Sequence, residues 1–379
     1  MNNRQRLHAV LNYENYDRLP VVHFGFWTVL LEKWVAEGHL KHDEISGYYD
    51  GSPNDRLITQ KLGFDFNYFV TYMDMSGFSS LFPAFEPKRL KDNPDGSYEY
   101  LNSDGMIVML KDGAGSIPTE VGHLLTDRAA WGKHYLPRLQ YSEERFNDEL
   151  LKKLASESAD RSEPLGIYCG SLFGQIRNWL GVEGVSYLYA DDEDLYDEII
   201  NTVGELAYKV TKRSLEANIQ FDFAHFWEDI CFKNGPLVVP SIFEEKVGPH
   251  YRRITDLVKS HGINIISLDC DGVIDSLLPI WLENGVNTMF PIEVGTWGAS
   301  IKPWRQQYGK ELRGVGGMNK HVLSYDKASV DTEIERLKPL VALGGFIPCP
   351  DHRLPPDTKW ELVQYYCEQM RNEFITFYK

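Results

Sequence analysis

Apolar and polar positions divide this 379-residue chain into short apolar runs alternating with longer amphipathic stretches. Eight runs read as strands: Leu19–Phe24, Phe64–Val70, Pro164–Cys169, Asp222–Phe226, Ile263–Leu268, Val286–Pro291, Leu312–Gly316 and Gly345–Pro348. Apolar side chains recur at helical steps over 192–218, 241–260, 273–284, 327–342 and 357–376. The first of these stretches opens on Asp192-Glu193-Asp194, an acidic start suited to a helix N-terminus, and the last on Pro356-Asp357-Thr358, a predicted N-cap region. Strand-then-helix alternation predicts an α/β fold with a parallel sheet, and eight strands is the number that closes a (β/α)8 TIM-type barrel. Residues 84–122 break the pattern. Two Asp-Gly turns, Asp95-Gly96 and Asp104-Gly105, beside Tyr98–Tyr100 and Met106–Leu110 predict an inserted β-hairpin there. No linker, low-complexity tract or charge block divides the chain, so residues 1–379 are expected to form a single barrel domain. The lack of a GxGxxG after any strand argues against a dinucleotide site, and so against NAD or flavin.

Composition narrows the class further. Apolar residues at 43% and charged residues at 25% are the balance of a globular protein with a large core. A net charge of −16 argues against nucleic acid as a partner, because phosphate binding needs a basic face. Cys169, Cys231, Cys270, Cys349 and Cys367 are odd in number and scattered, which suits reduced thiols rather than a disulfide framework. The opening MNNRQRLHAVLNYEN has no signal-like apolar run, and no segment approaches the ~20 apolar residues of a membrane helix. The expectation is a soluble cytoplasmic protein with no membrane partner.

In parallel barrels catalytic groups come from the C-terminal strand ends, so the polar residues that stop each apolar run are the candidates. These are His23, Asp65 with Asn67, Glu228 with Asp229, Asp269-Cys270-Asp271-Gly272, Glu293, and Asp351-His352. Alternation puts Asp269 and Asp271 on one side of a strand and Cys270 on the other. With Glu293 and His352 they form a candidate set of ligands for zinc or a harder ion. The competing assignments are that one of the two aspartates caps a helix starting near Gly272, and that His352 bonds nearby backbone. Glu228 and Asp229 read either as a general acid and a substrate-hydroxyl ligand, with Lys233 neutralising an anion, or as part of an ion pair in the barrel rim. His225 reads as core. Arg177, in Gly170–Arg177, is placed to grip a carboxylate, although small residues there are also good turn formers.

Several runs together resemble the uroporphyrinogen decarboxylase superfamily: RLHAVLNYENYDRLPVV, GSLFGQIRNWLGVEGVSYLYADDEDL, FWEDICFKNGPLVVPSIFEEKVGPHYRRI, LDCDGVID, VGGMNKHVL and GGFIPCPDHRLPPDTKWELVQYY. The resemblance spans nearly the whole chain. It implies a TIM-type barrel and one of two activities, porphyrinogen decarboxylation or zinc-dependent methyl transfer with a corrinoid protein. Decarboxylases of that family carry a Met-Arg-Gln-Ala-Gly-Arg run after the first strand, whose arginines hold the substrate carboxylates. Here the stretch is His23-Phe24-Gly25-Phe26-Trp27-Thr28, with no arginine. The methyltransferase branch has His-x-Cys after the sixth strand and a Cys in the last loop, all on zinc. Here Asp269-x-Asp271 and His352 stand in those places, and Glu293 matches an acidic residue near the metal. An oxygen and nitrogen ligand set suits Lewis-acid activation of a methoxylated substrate better than activation of a thiol.

The resemblance therefore implies a metal-dependent methyltransferase that moves a methyl group between a small methylated substrate and a corrinoid protein, with a homodimer compatible. His352, Asp269, Glu228 and Asp229 would be catalytic, and His23, Trp27, Asp65, Arg177 and Lys233 would contact substrate. A decarboxylase of a tetrapyrrole-like substrate and a non-catalytic ligand-binding barrel are the alternatives.

Overall fold

A computed structural model describes residues 1–71, 80–111 and 118–375. Each of the eight predicted runs overlaps a parallel strand, and five strands extend past the predicted ends. The eight are β1 (Val22–His23), β2 (Phe66–Asn67), β3 (Gly166–Tyr168), β4 (Phe223–Trp227), β5 (Ile266–Asp269), β6 (Thr288–Ile292), β7 (Arg313–Met318) and β8 (Phe346–Pro350). Strands β3 to β8 form one six-stranded parallel sheet, while β1 and β2 pair only with each other, in parallel. A closed ring of eight hydrogen-bonded strands, the sequence expectation, is not found among the described residues. With two residues each, β1 and β2 have few backbone groups to offer a neighbour. The small sheet is instead joined to β8 just beyond its end, by a parallel bridge between Phe26 and Leu354.

The strands are nearly all buried, as a sheet covered on both faces requires, and one continuous hydrophobic core runs from Leu7 to Phe374. The helix Glu193–Leu215 starts where the acidic run predicted, with the Asp192 side chain accepting from the Leu195 backbone N–H. The last helix, Trp360–Glu373, begins later than predicted, because Pro356–Thr358 sit in a turn before it. Residue 376 of that prediction lies outside the described residues. The predicted hairpin is larger than expected: Lys88–Asp92, Ser97–Leu101, Met106–Lys111 and Thr119–His123 make a four-stranded antiparallel sheet. Both Asp-Gly turns are present, and Gly96 and Gly105 take the positive φ (82° and 84°) those turns need. Residues 112–117 of the insertion lie outside the described residues.

The N-terminal ends of the strands are closed by salt-bridged aspartates. Asp65, just before β2, accepts from Arg18 at 2.6 and 2.8 Å, from Arg371 at 2.9 Å and from the Val21 N–H at 2.8 Å. Asp222, just before β4, accepts from Arg4 (2.7 Å), Arg161 (2.6 Å) and the Leu165 N–H (2.8 Å), and bonds His8 at 2.8 Å. Asp65 was expected at the mouth. It lies at the opposite end, because it opens its apolar run rather than closing it.

All five cysteines are free and buried. Among the described residues no helix is long and apolar enough to cross a membrane.

Candidate active site

The C-terminal strand ends open into a mouth whose floor is acidic. Asp269 is the last residue of β5 and only 4% exposed. Its backbone is held from both sides: its carbonyl accepts from the Glu228 N–H at 2.9 Å, and the next residue, Cys270, donates to the Phe290 carbonyl at 2.9 Å. The Cys270 thiol faces away, accepting from the Ile230 N–H at 3.4 Å, as strand alternation predicts. The chain then bends at Gly272 (φ 88°), where an added Cβ would lie 2.7 Å from the Cys231 carbonyl group, so only glycine fits. This bend returns Asp271 to the mouth beside Asp269. Neither aspartate caps a helix. The next one begins at Leu278 without a side-chain cap, and the Gly272 N–H goes to Glu293 Oε2 at 2.9 Å.

His352 follows β8 and reaches the same place. Its Nε2 lies 3.8 Å from Asp271 Oδ2, and its ring stacks on Trp27 (centroids 5.9 Å apart, 20° between planes) and meets the edge of Phe24 at 5.4 Å. Glu293, at the end of β6, also accepts from the Trp297 indole N–H, and Trp297 in turn packs 6.4 Å from Phe232. Asp229 sits beyond β4 with a left-handed backbone (φ 50°), uncommon outside glycine. Arg177 holds it there, donating to its carbonyl at 2.7 Å and facing its carboxylate at 3.5 Å.

Burial and mutual repulsion set the electrostatics. Burial, then the charges of Asp271, Asp229 and Glu293, push the Asp269 carboxyl well above the usual carboxylate range. Asp271 is pushed up to about 8 by burial, Glu293 and Asp229. Burial also raises Asp229 and Glu293. His352 moves the other way, down to about 4, because burial and the nearby Lys320 and Arg353 disfavour the imidazolium. Crowding and burial thus push these carboxyls toward the protonated form and the imidazole toward the neutral one, and a cation beside the carboxyls would favour their ionised form.

Other predicted site residues have different duties. Glu228 is fully buried below the mouth, where its carboxylate accepts from the N–H groups of Leu172 (2.8 Å), Phe173 (2.9 Å) and Gly174 (2.5 Å), the Ser171 hydroxyl (3.1 Å) and the Tyr251 hydroxyl. It anchors the turn into the helix Gly174–Asp191, a structural role rather than the acid or substrate ligand expected. Neighbouring strand residues face opposite ways, and the mouth received Asp229 instead. His23 is likewise buried, bonding Thr59 Oγ1 at 2.9 Å and accepting from the Gly25 N–H at 3.0 Å, and it packs on Phe26 and Phe64. Lys233 is exposed at the turn between Cys231–Phe232 and Gly235–Pro236. His225 is core, bonded to Ser267 at 2.8 Å.

Three residues escaped the sequence reading, Arg353, Asp50 and Lys320. Arg353 lies over the rings of Phe24 and Phe69 and pairs with Asp50 at 2.6 Å. Lys320, buried, pairs at 3.3 Å with Asp351, which also accepts from the Gly295 N–H at 2.6 Å. Lys320 and Asp351 were visible as polar ends of apolar runs, whereas nothing local marks Asp50 as the partner of a residue 303 positions away.

The zinc implied by the family resemblance finds no cage in this arrangement. Among the described residues no group of three or more His, Cys, Asp or Glu side chains is placed to hold a metal ion. The donors account for this: Glu293 Oε2 is committed to two N–H groups, Asp229 faces Arg177, and His352 stands off from Asp271.

No family model and no curated protein sequence matches the chain. Among solved structures it is similar to a methyltransferase from Methanosarcina mazei, at 16% identity over 98% of this chain and 99% of that one, with a TM-score of 0.57. A slighter likeness is to a chain from Listeria monocytogenes assigned as a vitamin-B12-independent methionine synthase, at 10% identity over 95% of this chain and 98% of that one, with a TM-score of 0.40. The first is a likeness of fold along the whole chain; the second is too slight to bear on it.

Proposed function

We propose that the chain is an enzyme that transfers a methyl group from a small methylated substrate to the reduced corrinoid of a partner protein. The observation that carries this reading is the convergence of Asp269, Asp271 and His352 at the C-terminal strand ends, where the family resemblance places the methyl-transfer machinery. The architecture fits an open form of the TIM-type barrel, since the β1–β2 pair is linked to the β8 edge of the six-stranded sheet.

Trp27, His352 and Phe24 line one side of the mouth, and Trp297 with Phe232 another. Between them Asp269, Asp271 and Glu293 face the methyl donor. By themselves these crowded carboxyls are costly to ionise, and a cation placed among them relieves that cost. A donor with an electropositive centre, or one whose leaving group needs a proton, finds a complement there. Arg177, Lys320 and Arg353 each already face a carboxylate, which weighs against a polycarboxylate substrate and so against the decarboxylase reading.

The test is to supply purified protein with cob(I)alamin and a panel of methyl ethers and methylamines, following methylation by absorbance. At least one donor is expected to react, and His352→Ala to slow that reaction about 10²-fold or more. No transfer from any donor would overturn the proposal.

A further inference from the structure

Resting on the methyl-transfer reading, we infer that the methyl donor is an N-methylated ammonium cation, bound by the Asp269 and Asp271 carboxylates between aromatic walls. Three observations lead there.

The first is a charge surplus. Around the mouth, Asp229 is matched by Arg177, Asp351 by Lys320 and Asp50 by Arg353. Asp269, Asp271 and Glu293 remain without a cation, apart from the neutral imidazole 3.8 Å from Asp271.

The second is an unmet carboxylate. Asp269 is 96% buried, from its 4% exposure, and among the described residues no donor or cation bonds its side chain. The groups acting on its charge are the other acids and Arg353, which is already paired. Asp271 Oδ1 is a buried oxygen with no hydrogen-bond partner. Buried acceptors of this kind are costly unless something completes them.

The third is the shape of what could complete them. The acids do not converge on one point, since no metal-holding group forms among the described residues. A small dication needs such convergence. A quaternary ammonium does not: it has no N–H to place, spreads its charge over its methyl groups and is recognised by negative charge together with aromatic surface. The Trp27–His352 stack lies beside Asp271, and Trp297, packed on Phe232, lies beside Glu293, so both aromatic surfaces border the acids. Methyl transfer from such a cation also balances without a proton. The C–N bond breaks with its electron pair left on nitrogen, giving a neutral amine, and the methyl group is taken by the electron pair of the reduced corrinoid.

Binding is tested without any corrinoid, by titrating the protein calorimetrically with choline and with its uncharged isostere 3,3-dimethyl-1-butanol. Choline is expected to bind about tenfold or more tighter than the isostere, and Asp269→Asn to abolish the difference. Equal affinity for the two in the wild type would overturn the inference whatever the variants do. So would a choline affinity unchanged in both Asp269→Asn and Asp271→Asn, or one equivalent of zinc bound in place of choline and lost in Asp269→Asn. The two proposals fail separately. Methyl transfer from an ether with no choline binding sinks this inference alone; choline binding with no methyl transfer from any donor sinks the methyl-transfer reading.

Discussion

The two ends of the parallel sheet use the same residue type in opposite ways. At the N-terminal end Asp65 and Asp222 are ringed by arginines and backbone N–H groups, and despite their burial both carboxyls lie below the usual range, Asp222 at about 2. At the C-terminal end Asp269 is just as enclosed and Asp271 is 33% exposed at its side chain, yet the charges that act on them most are other acids, and both lie above it, Asp271 at about 8. Burial raises all four; what differs is whether partners were supplied. An acid with three partners is a clamp. An acid buried beside other acids is tolerated only where it is used, and stability is commonly given up in that way at functional sites.

The largest expected effect lies at the clamped end. Asp222→Ala leaves Arg4, Arg161 and the Leu165 N–H without their acceptor, and is expected to cost about 3–5 kcal/mol in denaturant unfolding. Turnover per folded molecule should not change. A smaller effect is expected from acid. Because the folded Asp222 carboxyl is depressed from 3.8 to about 2, its contribution is present above pH 3.8 and lost as pH falls through about 2. The unfolding free energy across that window should fall by about 2 kcal/mol more in the wild type than in Asp222→Asn. An equal decline in both would break the comparison at its clamped end.

At the mouth the sign reverses. Asp271→Asn removes a carboxyl that ionises freely in the unfolded chain but resists ionising in the folded one, and is expected to stabilise the fold by about 1 kcal/mol at neutral pH while lowering activity, measured by thermal unfolding alongside methyl transfer. A destabilised Asp271→Asn would mean that Asp271 is a clamp like Asp222. The smallest effect belongs to Lys233→Ala. That side chain is exposed at a turn outside both networks, and its removal should stay within about 0.5 kcal/mol of wild type.

How much of this was legible in the sequence follows from the same contrast. All eight strands were, because buried parallel strands are continuous apolar runs; ring closure was not, because the ordered length of β1 and β2 depends on neighbours distant in the chain. The Asp269–Asp271 pair was legible from alternation at a strand end, and His352 from the end of the last apolar run. Glu228 and His23 were assigned to the mouth because they are polar and near strand ends. A one-residue difference in facing sends Glu228 under the mouth and its neighbour Asp229 into it. Asp65 was misplaced since a run of apolar residues does not reveal which of its ends faces the chemistry. The pairing of Arg353 with Asp50 and of Lys320 with Asp351 is made by tertiary packing, and no local pattern announces it.

The contrast between clamp and site is tested most directly by measuring thermal unfolding and methyl transfer side by side in Asp65→Asn and Asp269→Asn. Asp65→Asn is expected to lower the melting temperature and keep the wild-type rate per folded molecule, whereas Asp269→Asn keeps or raises the melting temperature and loses the rate about 10²-fold or more. The reverse pattern, with Asp269→Asn unstable but active, would contradict the assignment of the mouth as the functional site.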